Sequence, residues 1–204
     1  MTKIITFCFL LFLIGCNIEI MPARSDDDLY SKNGNQVAKF SNDSILATKQ
    51  VNTPSGITLE EINYKDLGMI NKKSGRTWVI LTASWCAECA YELENNAAKI
   101  NDLKKQGINT VLIYTNYDIK HIQKEIFKLH YFSQAYVLNS HDYTSDETKK
   151  ISKFGTEILS ASRDYNKMPA PIGVPQNFFF SSGKLTMYKQ GARINTDSVK
   201  YYFR

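Results

Sequence analysis

Residues 77–89 have the sequence TWVILTASWCAEC, and this stretch indicates the fold of the chain more clearly than any other. Its first six residues are apolar or β-branched, which predicts a strand buried on both faces of a sheet. Cys86 and Cys89 follow, and apolar residues then recur at three- and four-residue steps. That period predicts a helix over residues 86–106, ended by Gly107. A Cys-x-x-Cys motif therefore lies where a buried strand meets the N-terminus of a helix.

The elements predicted after this helix alternate between strand and helix and close with a β-hairpin. They are strands at 109–115 and 134–138, helices at 118–129 and 144–161, hairpin strands at 177–180 and 184–189, and a short helix at 197–203. Such alternation predicts an α/β fold whose central sheet is partly parallel and has helices on both faces. The C-terminal β-hairpin adds an antiparallel edge, which makes the sheet mixed.

The N-terminus has the pattern of an export signal. Lys3 precedes an apolar run at positions 4–14, which is too short to span a bilayer as a helix and fits a secretory signal peptide. The run ends in LIGC at positions 13–16, which resembles the lipobox of bacterial lipoproteins. This resemblance implies that residues 1–15 are removed as a signal peptide and that Cys16 receives the lipid. The protein would then be lipid-anchored in the bacterial cell envelope, facing away from the cytoplasm.

Composition and charge limit the classes of function that the protein can have. Residues 16–56 are rich in small polar residues without a sustained apolar period, which predicts a flexible, lipid-anchored tether. The net charge of +5 comes from basic residues scattered along the chain, so we expect no nucleic-acid partner. Because Cys8 is lost with the signal and Cys16 is lipidated, two free thiols, Cys86 and Cys89, remain where disulfides can form.

Three kinds of chemistry use a Cys-x-x-Cys motif. A zinc site needs two more ligands, and the histidines at 121, 130 and 141 do not have zinc-finger spacing. A structural disulfide across so short a loop would stabilise the fold little. Free N–H groups and the macrodipole at a helix N-terminus, by contrast, stabilise a thiolate. The motif therefore favours redox chemistry by the cysteine pair itself, with no metal and no other cofactor.

The position of each cysteine on the predicted helix suggests its role. Cys86 starts the helix and is expected to be the more exposed, more readily ionised nucleophile. Cys89 lies one turn further in, faces the core, and would resolve the mixed disulfide. The negative charge of Glu88 disfavours a thiolate at Cys86 and so raises the pKa expected for that thiol. A less stabilised thiolate makes the cysteine pair more reducing. Glu92 shares the helical face of Cys89 and either accepts its proton or is an exposed glutamate without a role.

These motifs together resemble the TlpA/ResA-like branch of the thioredoxin superfamily, whose members are membrane-tethered extracytoplasmic thiol–disulfide oxidoreductases. Trp85, Cys86 and Cys89 match its W-C-x-x-C motif, and Glu92 matches its glutamate three residues after the second cysteine. GVP at 173–175 also matches, as do the later GK turn at 183–184 and Gly191. The resemblance implies a thioredoxin-like domain over residues 57–204, with an insertion at about 139–171.

The resemblance also implies roles for single residues. Pro175 would be a cis-proline beside the cysteine pair, and Val174 and Trp85 would contact the substrate. Thioredoxin has a buried aspartate where this chain has Ile80, so Glu92 would be the proton acceptor. The implied partners are disulfide-containing exported proteins, among them apocytochrome c, and a thiol electron donor in the membrane.

Two other functions stay open at this point. A disulfide oxidase or isomerase would use the same cysteines at a higher reduction potential. A non-catalytic binding or metal-delivery lipoprotein would use the thioredoxin scaffold alone. Copper-delivery proteins of this fold usually carry Cys-x-x-x-Cys and a distant histidine, so the spacing of Cys86 and Cys89 argues against that last role.

Overall fold

The computed structural model describes residues 26–41, 52–130, 132, 134–162, 170–191 and 193–203. The predicted signal peptide and Cys16 lie outside these residues. The strands in the described part of the chain form one sheet: β1 (Ala38–Lys39), β2 (Thr58–Ile62), β3 (Arg76–Thr82), β4 (Ile108–Tyr114), β5 (Gln134–Leu138), β6 (Gln176–Ser181) and β7 (Lys184–Gln190).

The α-helices in the same residues are α1 (Asp26–Asn33), α2 (Tyr64–Ser74), α3 (Ala87–Lys105), α4 (Ile119–Leu129) and α5 (Glu147–Ser160). Three short 3₁₀ helices are also described: Gly34–Gln36, Pro54–Gly56 and Thr196–Phe203. The last of these replaces the C-terminal helix predicted at 197–203. None of the described helices combines the length and the apolar character that crossing a bilayer requires.

The strand order in the sheet is β1-β2-β5-β4-β3-β6-β7. The pairs β1–β2, β2–β5, β5–β4 and β4–β3 are parallel. Strand β6 is antiparallel to both of its neighbours, β3 and β7. The chain thus has the predicted thioredoxin-like α/β fold, with a mixed central sheet and a C-terminal hairpin. The Cys-x-x-Cys motif follows β3, which lies between a parallel and an antiparallel neighbour.

Strand β3 is buried on both faces because its alternate side chains enter two different cores. Trp78 and Ile80 belong to one core, which α3, α4 and the C-terminal 3₁₀ helix cover. Val79 and Leu81 belong to the other, which α2 and α5 cover. The uninterrupted apolar run of β3 therefore satisfies both cores, and the prediction of helices on both faces is confirmed.

Residues 26–41, predicted as part of a flexible tether, are instead folded against the domain. The Tyr30 ring packs edge-on against Tyr117 with centroids 4.9 Å apart, and the Tyr30 hydroxyl lies 3.1 Å from His141 Nε2. Strand β1 extends the sheet by pairing in parallel with β2. The segment has few apolar residues, and its partners are far away in the chain, so no local pattern could indicate the docking.

Candidate redox site

Cys86 and Cys89 form a disulfide at the N-terminus of α3, with their Cα atoms 5.2 Å apart. Cys86 is the N-cap of this helix, and its Sγ accepts a hydrogen bond from the Cys89 backbone N–H at 3.2 Å. Cys86 is 9% exposed and Cys89 is 2% exposed. Cys86 is therefore the more accessible residue of the pair, and the helix supplies the N–H that would stabilise its thiolate after reduction.

The loop between β3 and the disulfide is tied to the loop that follows β4. The Ser84 backbone N–H donates to Asn116 Oδ1 at 3.2 Å, and Asn116 Nδ2 donates to Ser84 Oγ at 2.7 Å. The Thr115 N–H donates to the Thr82 carbonyl at 2.9 Å. Because Asn116 and Thr115 lie about thirty positions away in sequence, the spacing around the cysteines gave no indication of this support.

Tyr117 fastens the loop after β4 to the rest of the sheet. The single proton of its hydroxyl is shared between Glu61 Oε1 at 2.8 Å and the Leu138 carbonyl oxygen at 3.2 Å, the shorter contact being to Glu61. Burial, together with the nearby Glu61 carboxylate, raises the pKa of Tyr117 well above its ordinary value. The hydroxyl therefore stays a protonated donor throughout the physiological pH range.

The segment before β6 lies directly against the disulfide. The Val174–Pro175 peptide bond is cis, as the resemblance implied. The Val174 side chain packs against Ala83, Cys86 and Cys89, and the Pro175 carbonyl accepts a hydrogen bond from the Gly191 N–H at 2.9 Å. Val174 and Pro175 are thus both beside the disulfide.

A small cavity of about 20 Å³ lies behind the disulfide, large enough for one water molecule. Cys89, Glu92 and Pro175 line it, together with Trp78, Ile80, Leu93, Asn96, Ile100, Asn177 and Ile194. Glu92 supplies the one carboxylate among these lining residues, and it accepts a hydrogen bond from Asn96 Nδ2 at 3.3 Å. Glu92 therefore faces the same space as Cys89, while Ile80 contributes an apolar wall.

Trp85 lies at the outer edge of the site. It is 60% exposed, and its indole N–H points to both carboxylate oxygens of Glu147, at 2.9 and 2.8 Å. Sequence reasoning did not find Glu147, because it lies 62 positions from Trp85 in the stretch assigned to an insertion. All predicted site residues of the domain, from Trp85 to Pro175, are thus close to the disulfide.

Glu88 is exposed in the first turn of α3. The residues that the structure describes contain no group of three or more His, Cys, Asp or Glu side chains placed to hold a metal ion.

Helix α5 packs closely on the segment before Pro175 at Gly155, and this contact should not tolerate a side chain. A Cβ added to Gly155 would lie 2.5 Å from Pro171 Cβ and 2.6 Å from Gln176 Oε1. We expect Gly155→Ala to lower the free energy of unfolding by about 1–2 kcal/mol, since crowding outweighs the gain in helix propensity. Urea unfolding measures the change.

Gly68→Ala in α2 is the matched control, because outside the adjoining residues and the backbone of its own helix no atom lies within 4 Å of a Cβ added at Gly68. That variant should be neutral, or more stable by up to about 1 kcal/mol through helix propensity alone. Equal stability of the Gly155→Ala and Gly68→Ala proteins would show that the contact between α5 and Pro171 is not tight.

Comparison with known proteins finds similarity only to solved structures. No family model matches the chain, and no curated protein matches it. It is similar to the thioredoxin domain of a thiol-disulfide oxidoreductase from Bacteroides vulgatus, with TM-score 0.45 and 16% identity over 66% of this chain and 83% of that one. A thiol:disulfide interchange protein from Bacteroides sp. gives TM-score 0.44 and 16% identity over 64% and 74%. A thioredoxin-family thiol:disulfide interchange protein from Chlorobium tepidum gives 0.43 and 17% over 64% and 79%.

Proposed function

We propose that this chain is an enzyme, a thiol–disulfide oxidoreductase. The observation that carries the proposal is the Cys86–Cys89 disulfide, which caps helix α3 while Val174 packs directly against it. A purely structural disulfide that closes so short a loop would stabilise the fold little. A helix N-terminus that supports a thiolate and an adjacent segment that can receive a substrate are what disulfide exchange requires.

In the reducing direction, the Cys86 thiolate attacks one sulfur of a substrate disulfide. A Cys86–substrate bond forms, the substrate disulfide breaks, and the second substrate sulfur leaves as a thiolate that takes up a proton. The Cys89 thiolate then attacks Cys86 Sγ. This step closes the Cys86–Cys89 disulfide and releases the second substrate thiol, so two electrons pass to the substrate for each enzyme disulfide formed.

Cys89 must lose its proton before it can attack, and burial works against that loss. The cavity that Cys89 shares with Glu92 has room for one water, through which the Glu92 carboxylate can take up the thiol proton. The substrate would lie across Val174 and Pro175, with Trp85 at its side. These residues lie around the disulfide, so the substrate chain would approach it from the solvent side of the site.

The proposed direction is reduction of disulfides in exported proteins. Glu88, two residues after Cys86 in the first turn of α3, carries a negative charge that disfavours a thiolate at Cys86. The reduced form of the pair is therefore less stabilised than at a site without this charge. A pair of this kind gives its electrons away readily and needs a thiol donor in the membrane for regeneration. The extended Cys-x-x-Cys-His segment of apocytochrome c is one substrate that suits this chemistry.

The test of exchange is turnover of a disulfide-bonded protein by the purified chain, with a chemical dithiol to regenerate it. Wild-type protein should accelerate the reduction, and a Cys86→Ser, Cys89→Ser double variant should not. Equal rates for the two would contradict the proposal.

We further propose that Cys16 anchors the protein to a membrane of the cell envelope through lipid. The support is the LIGC sequence at positions 13–16 after an apolar signal. A Cys16→Ser variant should then appear in the soluble fraction, because the acyl chains supply the membrane affinity. Cell fractionation followed by immunoblotting measures this, with Cys8→Ser as the control that keeps the membrane location. A Cys16→Ser protein that stays with the membrane would show that the anchor lies elsewhere.

A further inference from the structure

The position of the Trp85 ring depends on hydrogen bonding more than on packing. At 60% exposed, the residue has less than half of its surface covered by neighbours. Its indole N–H, the only hydrogen-bond donor of a tryptophan side chain, lies 2.9 and 2.8 Å from the two carboxylate oxygens of Glu147. A hydrogen bond to an ionised acceptor is stronger than one between neutral groups. Removing the Glu147 carboxylate should therefore free the ring to rotate.

Glu147 itself is held in place by three further features. It is the first residue of α5, where the macrodipole favours a carboxylate. The Thr115 hydroxyl donates to the same carboxylate. One turn further along α5, fully buried Lys150 donates from Nζ to the Thr115 carbonyl at 3.1 Å. Helix α5 thus binds Thr115 at both its hydroxyl and its carbonyl, and Thr115 is in turn bonded to the end of β3.

We propose that Glu147 is a positioning residue that holds the Trp85 ring as a fixed apolar wall beside the Cys86–Cys89 disulfide. The inference rests on the proposed exchange function and gives helix α5, within the insertion at 139–171, a part in substrate selection. Because Glu147 already satisfies the indole N–H, the exposed part of the ring offers only apolar surface. It suits substrates whose disulfide is flanked by apolar side chains.

The two tryptophans of the chain allow a direct test by NMR. Trp78 is the internal reference, since its buried indole N–H donates to Asn177 Oδ1 at 3.0 Å, and Trp78 belongs to the core on the opposite face of the sheet from α5. In the Glu147→Ala protein, the Trp85 indole N–H signal should shift, and its heteronuclear NOE should drop towards that of a mobile group. The Trp78 signal should keep its position. A Trp85→Phe variant identifies the two signals.

Two further variants separate positioning from a general effect on stability. Glu147→Gln keeps one acceptor oxygen and should restore part of the order that Glu147→Ala removes. Glu157→Gln lies on the same helix, where the Glu157 carboxylate accepts from the Tyr143 hydroxyl at 2.6 Å, and it should leave both indole signals unchanged. An equally ordered Trp85 ring in the wild-type and Glu147→Ala proteins would overturn the proposal.

Kinetics then test selection with two disulfide-bonded peptides, one with leucines and one with glycines beside its cysteines. For the leucine peptide, Glu147→Ala should raise KM about three- to tenfold with little change in kcat, as expected for one lost positioning hydrogen bond. For the glycine peptide, KM should stay within about twofold of the wild-type value, because glycine has no side chain to contact the ring. Equal changes for both peptides would contradict selection by Trp85.

The NMR and kinetic experiments together distinguish failure of this inference from failure of the proposed function. If the wild-type protein turns over neither peptide, the exchange function fails, and selection by Trp85 fails with it. The NMR result, which needs no turnover, then still shows whether Glu147 fixes the ring.

Discussion

A Cys86→Ser protein should lose all measurable disulfide exchange, and a Cys89→Ser protein should accumulate a covalent complex with its substrate. The two variants differ because the cysteines occupy different places in the site. Cys86 is the more exposed of the two cysteines and caps helix α3, so it makes the first attack. Cys89 is buried behind it and acts only once the mixed disulfide exists.

The trapping experiment uses alkylation followed by non-reducing electrophoresis and mass spectrometry of the cross-linked band. The Cys89→Ser complex should join Cys86 to a substrate cysteine and disappear when dithiothreitol is added. The double variant, which has neither sulfur, is the control and should trap nothing. If Cys86→Ser formed the complex and Cys89→Ser did not, the proposed order of attack would be reversed. If neither formed it, the exchange mechanism would be wrong.

Glu92→Gln should slow the resolving step by about a hundredfold, at the lower end of what general acid–base catalysis contributes. Glu92 lines the cavity behind Cys89, and no other lining residue carries a carboxylate there. Glutamine retains an oxygen for the hydrogen bond from Asn96 but cannot take up a proton. Rapid-quench kinetics on the mixed disulfide would measure the resolving rate separately from the first attack.

The matched control for this experiment is Glu94→Gln. Glu94 lies two residues further along the same helix and is exposed, facing a groove formed with α4 rather than the cavity. Its replacement should leave the resolving rate within about twofold of wild type, since it does not share the space of Cys89. Both glutamine variants should unfold at the wild-type urea concentration. An unchanged resolving rate in Glu92→Gln would remove Glu92 from the mechanism.

The parts of the fold that local chemistry determines were predictable from the sequence. The uninterrupted apolar run of β3 indicated a strand buried on both faces, and it contacts both cores. The helix after the motif was indicated by its apolar period, and the closing hairpin by its Ser-Ser-Gly turn. Pro175 was identified by resemblance to a family, since its cis bond cannot be read from composition.

The features that could not be predicted from the sequence depend on contacts between segments that are distant along the chain. Glu147 meets Trp85, and Asn116 meets Ser84, only because the sheet brings the ends of different strands together. Helix α1 docks through single side chains such as Tyr30, without the repeated apolar spacing that would indicate a packed face. The sequence patterns used above predict neither strand β2 nor helix α2, although Asn63 and Asp66 form a capping box at the start of that helix.

The reduction potential of the Cys86–Cys89 pair tests the central claim most directly. It can be measured by equilibrating the purified protein in dithiothreitol buffers of known ratio and counting free thiols by alkylation. A redox-active pair that works as a reductant should have a potential near or below about −250 mV, in the range of thioredoxin-type reductants. A potential above about −180 mV would place the pair with oxidants or isomerases and contradict the reducing direction inferred from Glu88.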